Sequence, residues 1–303
     1  MTLDKSGLYL PQNGIIKPQL SPLTISRVIN EPRGLEDWEV DEAFEIAEML
    51  DGPVGIPAVL IIYGKPRSGK TLFMVWLCWK LKKYFGMRTI IDSPNLTPAY
   101  GEAYYMSDKE FMKERVKINK TMELYERMGV LDKLEWKDLD ILLYRAGVMW
   151  DEVEDKISVH QTSDKIAREY NNETLQYGHN ECVFCIVSHD PKQINRQYAG
   201  QFHTHEVSCT FHKNFRGSGE AWTTYMIYNK TSKRFFSKQL KVETWGPLFK
   251  SRGPIASKVT IGKLKTMDLD ERDRLEIDAF IDRQKATLIA RGAKDEFDKE
   301  LTK

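Results

Sequence analysis

The chain has 303 residues and a formal net charge of +1, so it is long enough to bury a substantial core and is not a polycation. Four cysteines in a chain of this length do not indicate a disulfide framework, and a reducing compartment is expected. The first residues lack the basic start and apolar stretch of a signal peptide, and lysines follow the most apolar run, Leu72 to Trp79, too early for a membrane span. We expect a soluble, cytoplasmic protein with no transmembrane segment.

Residues 1–54 are predicted to form an irregular arm followed by an acidic helix. Four prolines lie among the first thirty-five residues, and proline lacks a backbone donor and fixes φ, which opposes regular structure. From Glu36 to Leu50, seven acidic residues are mixed with the apolar Trp38, Phe44, Ile46 and Leu50. This spacing predicts an acidic amphipathic helix, whose role the sequence does not determine.

A glycine-containing motif, G-x-x-x-x-G-K-[ST], follows the apolar run Ala58 to Tyr63 and precedes Leu72 to Phe85, which can form a helix. Its residues are Gly64, Lys65, Pro66, Arg67, Ser68, Gly69, Lys70 and Thr71. In a strand–loop–helix arrangement of this kind, backbone N–H groups and the positive end of the helix dipole face phosphate oxygens. We predict that this P-loop binds ATP, with Lys70 on the β- and γ-phosphates and the Thr71 hydroxyl on Mg²⁺.

A second apolar strand, Gly147 to Trp150, runs directly into two carboxylates. An acid pair in this position, downstream of a P-loop, is typical of a Walker B motif. It predicts that Asp151 completes the Mg²⁺ shell and that Glu152 activates the attacking water. The alternative is an ordinary strand that ends in solvated acids, and Glu154 and Asp155 nearby leave that interpretation open.

A third strand-like run, Cys182 to Ser188, also ends in polar residues. His189, or Ser188, is a candidate to sense the γ-phosphate or to position water, and a loop-capping role is the alternative. Arg196 is the candidate for an arginine finger that reaches the nucleotide of a neighbouring subunit, with Arg216 second. A single arginine is more often only a surface charge.

These strands alternate with helical stretches, and this order predicts the fold class. Further strand-like runs are Arg88–Asp92 and Glu206–Phe211, and further helical patterns are Ser107–Met128 and Thr162–Tyr177. We predict an α/β fold of the P-loop NTPase type, with a mostly parallel central sheet flanked by helices. The ATPase domain is expected over residues 55–250, and residues 251–303 are expected to form a charged, helical C-terminal tail.

The segment from Glu206 to Gly262 is chemically distinct because it is both basic and aromatic. It carries ten basic and three acidic residues, a net charge of 10 − 3 = +7, with aromatic residues interleaved. Such a segment can bind nucleic acid, since lysine and arginine neutralise phosphates and aromatic rings stack on bases. The alternative is a sheet with one charged, solvated face and one aromatic core face.

Two residue pairs have spacings that are also seen in zinc sites, Cys182-x-x-Cys185 and Cys209-x-x-His212. Both pairs lie in apolar, strand-like runs, where residues three apart point to opposite faces. Buried free cysteines are the favoured interpretation, with zinc as the weaker alternative.

The stretches Gly64–Thr71, Val148–Glu152 and Val187–Arg196 together resemble the FtsK–HerA superfamily of P-loop ATPases. The nearest groups are viral genome-packaging ATPases and zonula occludens toxin-like proteins of filamentous phage. The resemblance covers approximately residues 55–245, although the third strand of that family commonly ends in Thr-Gln, where this chain has Ser188-His189. It implies a Mg²⁺-dependent ATPase in a homo-oligomeric ring that pulls DNA through a central pore, in the host cytoplasm or the virion if the protein is viral.

The sequence therefore favours an ATP-hydrolysing motor that translocates or packages DNA. One alternative is a membrane-associated assembly or secretion ATPase like the filamentous-phage proteins, which usually carry a transmembrane segment. Another is a nucleotide-regulated switch or a kinase-like enzyme. A GTPase needs a base-recognising Asn-Lys-x-Asp run, and the nearest match, Asn229–Ser232, lacks the acid.

Overall fold

The computed structural model describes residues 36–52, 55–92, 96–98, 103–134, 139, 141–151, 177–178, 180–190, 192, 194, 203–213, 220–251 and 269–293. Four of the expectations above lie outside these residues. They concern the N-terminal arm, Glu152, the helix over Thr162–Tyr177 and the two candidate arginine fingers, Arg196 and Arg216.

The secondary structure alternates strands and helices along the chain. The strands are β1 (Ala58–Tyr63), β2 (Arg88–Ile91), β3 (Leu96–Pro98), β4 (Tyr104–Tyr105), β5 (Ala146–Trp150), β6 (Val183–Ser188), β7 (His205–Lys213), β8 (Ala221–Asn229), β9 (Arg234–Lys241) and β10 (Phe249–Ser251). The α-helices are α1 (Asp37–Leu50), α2 (Lys70–Phe85), α3 (Asp108–Arg127), α4 (Val242–Trp245) and α5 (Glu271–Ala290). None of these helices is long and apolar enough to cross a membrane.

The described residues fall into two compact units. The first is built on an eight-stranded sheet in the order β4-β2-β5-β6-β1-β7-β8-β9. The pairings from β4 to β7 are parallel, whereas β7–β8 and β8–β9 are antiparallel. This mostly parallel sheet with flanking helices confirms the predicted P-loop NTPase fold class.

The centre of the sheet is buried on both faces, which explains why its strands are continuous apolar runs. Every residue of β1 except Tyr63 is buried, and all of β5 and β6 are buried. The strand predicted over Ala58–Tyr63 is confirmed at both ends. Parallel register joins Ala58 to Val183 and Tyr63 to Ser188, so β1 and β6 end at the same edge.

Helix α2 lies in the core of this unit rather than on its surface. It begins at Lys70, two residues before the prediction, and twelve of its sixteen residues are buried. Such a helix is apolar on nearly every side, so the sequence shows no clear amphipathic stripe. It ends at Phe85 and is capped by Gly86, whose φ of +61° is the left-handed conformation that favours glycine. The Gly86 N–H donates to carbonyls of the last turn.

The acidic helix α1 supplies counter-charges to α2 and β9. Four glutamates spaced three residues apart each pair with one basic side chain: Glu39 with Lys83, Glu42 with Lys80 at 2.5 Å, Glu45 with Lys238 at 3.9 Å, and Glu48 with Arg234. The apolar residues of α1 from Ala43 onward pack into the same core as α2, whereas Trp38 is 58% exposed. Helix α1 therefore belongs to this unit and balances cations that range from buried to exposed.

The Lys80–Glu42 pair is the most buried of these contacts, since the Lys80 side chain is 3% exposed. Burial alone would raise the pKa of Glu42, but hydrogen bonds from Lys80 and Tyr84 outweigh it and hold the pKa below its ordinary value of 4.5. The carboxylate thus stays ionised at neutral pH beside the ammonium.

Strands β7 to β9, which contain much of the basic, aromatic segment, bury some of its aromatic residues and expose others. Neither interpretation of the sequence predicted this arrangement. Tyr225, Ile227 and Leu240 are fully buried in the core. Phe235, by contrast, is 71% exposed and stacks on Tyr228 with ring centroids 4.6 Å apart. Some aromatic residues of the segment are thus solvated, while two of its cations turn toward α1.

The second unit contains α3, α5 and a short 3₁₀ turn, Leu131–Lys133. Both long helices begin with a capping box, in which the capping side chain and the third helical residue satisfy each other's backbone N–H. Lysines of α3 pair with the carboxylates at the start of α5, including Lys113 with Asp273 at 3.7 Å. Within the predicted C-terminal tail, the described residues 269–293 contain helix α5, in line with the helical character expected there.

A buried histidine joins the end of α1 to the sheet. His205 Nε2 donates to the Met49 carbonyl at 3.0 Å, while its Nδ1 accepts from the Thr204 hydroxyl at 2.7 Å. Burial lowers the pKa of His205 from 6.5 to about 4, so the ring is neutral in the folded protein at neutral pH.

His205 is expected to make the fold acid-labile, because the unfolded chain binds its proton below pH 6.5 and the folded chain only near pH 4. The contribution of His205 is therefore complete above pH 6.5 and is lost as the pH falls. The free energy of unfolding should drop by about 3 kcal/mol across this window. Denaturant titrations at several pH values measure it. In His205→Gln, which keeps a donor for Met49 and does not titrate, the slope should flatten; an unchanged slope would contradict the assignment.

Candidate nucleotide-binding site

The predicted phosphate loop connects β1 to α2, and its shape depends on its glycines. Gly69 has a φ of +89°, in the left-handed region, and caps the N-terminus of α2. At Gly64 the constraint is packing, because a Cβ atom there would lie 2.6 Å from Ser68 Oγ and 2.8 Å from the Cys209 carbonyl oxygen. The loop is closed by the Ser68 N–H, which donates to the Lys65 carbonyl at 3.1 Å. This is the strand–loop–helix arrangement that the sequence predicts.

The ammonium group of Lys70 folds back over the loop. It donates to the carbonyls of Gly64 at 2.9 Å and Lys65 at 3.2 Å, and it lies 3.2 Å from Nδ1 of His189. His189 follows β6, so the tip of the third strand and the loop meet at this point. The structure thus brings together two residues that the sequence analysis selected independently.

The first turn of α2 also places a hydroxyl beside a carboxylate. The Thr71 hydroxyl is 3.5 Å from Asp151 Oδ2, although these residues come from α2 and the end of β5. Mg²⁺ prefers oxygen ligands, takes one or two carboxylates and keeps several waters. A hydroxyl and a carboxylate at this edge fit that requirement, so Thr71 and Asp151 are the residues that would hold the ion.

Asp92 is a site residue that the sequence analysis did not select. Its Oδ1 accepts the backbone N–H of Asp151 at 3.2 Å, and its own N–H donates to the Met149 carbonyl at 3.2 Å. The available signal was an acid immediately after β2, a parallel neighbour of β5. Since parallel strands end at one edge of a sheet, acids that follow adjacent strands lie close together.

Two further residues that the sequence analysis passed over lie behind the loop, on β8. The hydroxyl groups of Thr223 and Tyr225 would lie 2.5 Å and 2.9 Å from a Cβ atom placed on Gly69. No local motif marks them, because β8 lies in the antiparallel extension of the sheet.

The cysteines do not provide a second chemistry here. Burial raises the pKa of Cys209, beside Gly64, to about 12 despite the opposing charge of Lys70, so the thiol stays protonated and is a poor nucleophile. All four side chains of the two zinc-like pairs are among the described residues. Within that part of the chain, no group of three or more His, Cys, Asp or Glu is arranged to hold a metal ion.

The comparisons with known proteins give structural likeness only. No protein-family model matches the sequence, and no match among curated proteins is found. Similar solved structures include the genome packaging NTPase B204 from Sulfolobus turreted icosahedral virus 2 in complex with sulfate, at 11% identity and a TM-score of 0.38, over 60% of this chain and 95% of B204. B204 in complex with AMPPCP is 10% identical with a TM-score of 0.37, over 60% of this chain and 96% of B204.

The flagellar accessory protein FlaH from Methanocaldococcus jannaschii is also similar, at 16% identity and a TM-score of 0.37, over 66% of this chain and 89% of FlaH. A viral packaging NTPase is thus among the structures that this chain resembles, as its motifs predict. With TM-scores below 0.5, this likeness does not establish an activity for the chain.

Asp92→Ala is expected to weaken the response of ATP binding to Mg²⁺, because it removes the acceptor that orients the backbone of Asp151. The loss of a supporting group beside a metal ligand typically costs tenfold or more in metal affinity. We expect the Mg²⁺ concentration for half-maximal ATP binding to rise about tenfold, as measured by calorimetric titration. Asp92→Asn keeps an acceptor oxygen and should change it much less; equal effects of the two variants would contradict the role.

Proposed function

We propose that this chain is a Mg²⁺-dependent ATPase whose phosphate site is the loop Gly64–Thr71. The observation that carries the proposal is the convergence of Lys70 and Thr71 of α2 with His189 after β6 and Asp151 after β5 at one edge of the sheet. In parallel α/β sheets, ligands bind outside the carboxyl ends of the strands. The loop, the lysine and the oxygen donors all lie at that edge.

The contacts of Lys70 indicate how the site would respond to a nucleotide. Its ammonium now rests on two loop carbonyls and lies beside His189, all within 3.2 Å. Phosphate oxygens are stronger acceptors than carbonyls, so a bound triphosphate would draw Lys70 onto its β- and γ-phosphates. His189, which lies beside Lys70, would contact the γ-phosphate, which is the sensor role proposed for it.

Three further roles complete the proposed mechanism. Thr71 and Asp151 would hold Mg²⁺, which when bound would neutralise part of the phosphate charge. Glu152, next to Asp151 in the chain, would orient and activate the attacking water. Arg196 from a neighbouring subunit would stabilise the charge that develops on the transferred phosphoryl group.

Glu152→Gln is the variant that tests hydrolysis most directly. We expect it to bind ATP with nearly unchanged affinity and to lose turnover by at least about a hundredfold, because it removes the base and not the phosphate contacts. Glu154→Gln is the matched control and should keep normal turnover. If both variants, or neither, lose turnover in a phosphate-release assay, Glu152 is not the catalytic base.

We further propose that ATP turnover drives DNA translocation or packaging in a homo-oligomeric ring. The support is the Val187–Arg196 motif and the +7 charge of residues 206–262. Arg234 and Lys238 pair with glutamates of α1, and Lys241 lies 3.8 Å from Glu220, whereas Lys233, directly before β9, is exposed. An exposed cation such as Lys233 is accessible to phosphate groups.

Double-stranded DNA should raise the ATP turnover of the purified protein, and added salt should suppress the effect because phosphate contacts release counterions. Light scattering with ATP and Mg²⁺ should give the mass of a ring of several copies. Single-stranded DNA in parallel reactions identifies the preferred form. A monomer that binds no DNA at low salt, with turnover indifferent to DNA, would remove the motor proposal and leave the ATPase proposal standing.

A further inference from the structure

A buried tyrosine touches the phosphate loop from behind. The Tyr225 hydroxyl donates to the Gly69 carbonyl at 3.0 Å, and the side chain is fully buried. Its ring packs on Phe73 of α2 with centroids 4.7 Å apart. The same Gly69 carbonyl accepts the Phe73 N–H at 3.1 Å, so two donors hold one oxygen atom.

The two hydrogen bonds to the Gly69 carbonyl also restrict the backbone N–H of Lys70, which belongs to the same peptide unit. A peptide unit is planar, and its C=O and N–H point in opposite directions, so a fixed Gly69 carbonyl fixes the N–H of Lys70. Lys70 is the first residue of α2, and its N–H is one of the four at a helix start that lack an intrahelical acceptor. Such groups are the ones that bind phosphate oxygens.

Packing against β8 also restricts the backbone at Gly69. A Cβ atom there would lie 2.5 Å from Thr223 Oγ1 and 2.9 Å from the Tyr225 hydroxyl, both closer than real contacts allow. The backbone at Gly69 therefore rests directly on β8. Burial raises the pKa of the Tyr225 hydroxyl, which remains a protonated donor at physiological pH.

We propose that Tyr225 is a positioning residue of the nucleotide site, which fixes the Gly69–Lys70 peptide so that the Lys70 N–H is aimed at phosphate before the nucleotide arrives. This inference rests on the proposed ATP binding by the loop. It assigns part of the phosphate site to the antiparallel strand β8, outside the glycine motif. Pre-organisation of this kind improves affinity by removing the cost of ordering the loop on binding.

Tyr225→Phe tests the proposal, because it removes the hydroxyl and keeps the ring against Phe73. One buried hydrogen bond corresponds to roughly a fivefold change in an equilibrium constant, so the Kd for ATP should rise about fivefold in calorimetric titration. In steady-state kinetics KM should rise by a similar factor with kcat nearly unchanged, since the loop N–H binds phosphate equally in the ground and transition states.

Tyr84→Phe is the matched control. Tyr84 lies near the C-terminal end of α2, and its hydroxyl bonds Glu42 and Lys80 away from the loop. It should lower the melting temperature at least as much as Tyr225→Phe and leave the Kd for ATP within about twofold of wild type, as expected for a site that is distant and independent. A purely structural role of Tyr225 would make the two variants behave alike.

Amide hydrogen exchange gives a second readout in the nucleotide-free protein. Peptides that cover Gly64–Thr71 should exchange faster in Tyr225→Phe than in wild type, and at the wild-type rate in Tyr84→Phe. If wild type binds ATP and Tyr225→Phe binds it equally well with unchanged loop exchange, the positioning role is wrong. If wild type itself does not bind ATP, the proposed function fails instead, and loop exchange still reports whether Tyr225 holds the loop.

Discussion

The parallel pairing of β1 with β6, and of β6 with β5, is the constraint on which the candidate site depends. Because these strands run in one direction, the loop after Tyr63, the carboxylate after Trp150 and the imidazole after Ser188 emerge at one edge. Neighbouring strands are about 4.8 Å apart, so side chains from successive tips can share one ligand. Any shift in this register would separate Lys70 from His189 and Thr71 from Asp151.

Ion pairs inside the first unit change how the charged segments of the sequence should be interpreted. The acidic helix α1 and the basic strand β9 look like separate surfaces in the sequence, yet their charges meet at Glu48–Arg234 and Glu45–Lys238. Buried Lys80 is tolerated in the core because Glu42 lies beside it. Net charge over a segment therefore overstates the cations that remain available to a partner.

Two side chains outside the glycine motif hold the backbone of the candidate site. Asp92 holds the backbone of Asp151 from β2, and Tyr225 holds the backbone of Gly69 from β8. Both side chains bond main-chain groups. A sequence motif specifies the residues that contact the ligand, and it does not specify which side chain orients their backbone. Supporting residues of this kind set the precision of a site whose first contacts are defined by the loop.

The sequence by itself determined the local parts of this protein. The apolar run Ala58–Tyr63 predicted the bounds of β1, the glycine motif predicted the loop, and the stretch Leu72–Phe85 predicted the end of α2. Each of these depends on neighbouring residues alone. The tertiary structure alone decided which glutamate pairs with which cation and which tyrosine stands behind Gly69. Gly69 and Tyr225 are 156 positions apart, and the sheet order that joins them arises from packing of the whole unit, which no local pattern encodes.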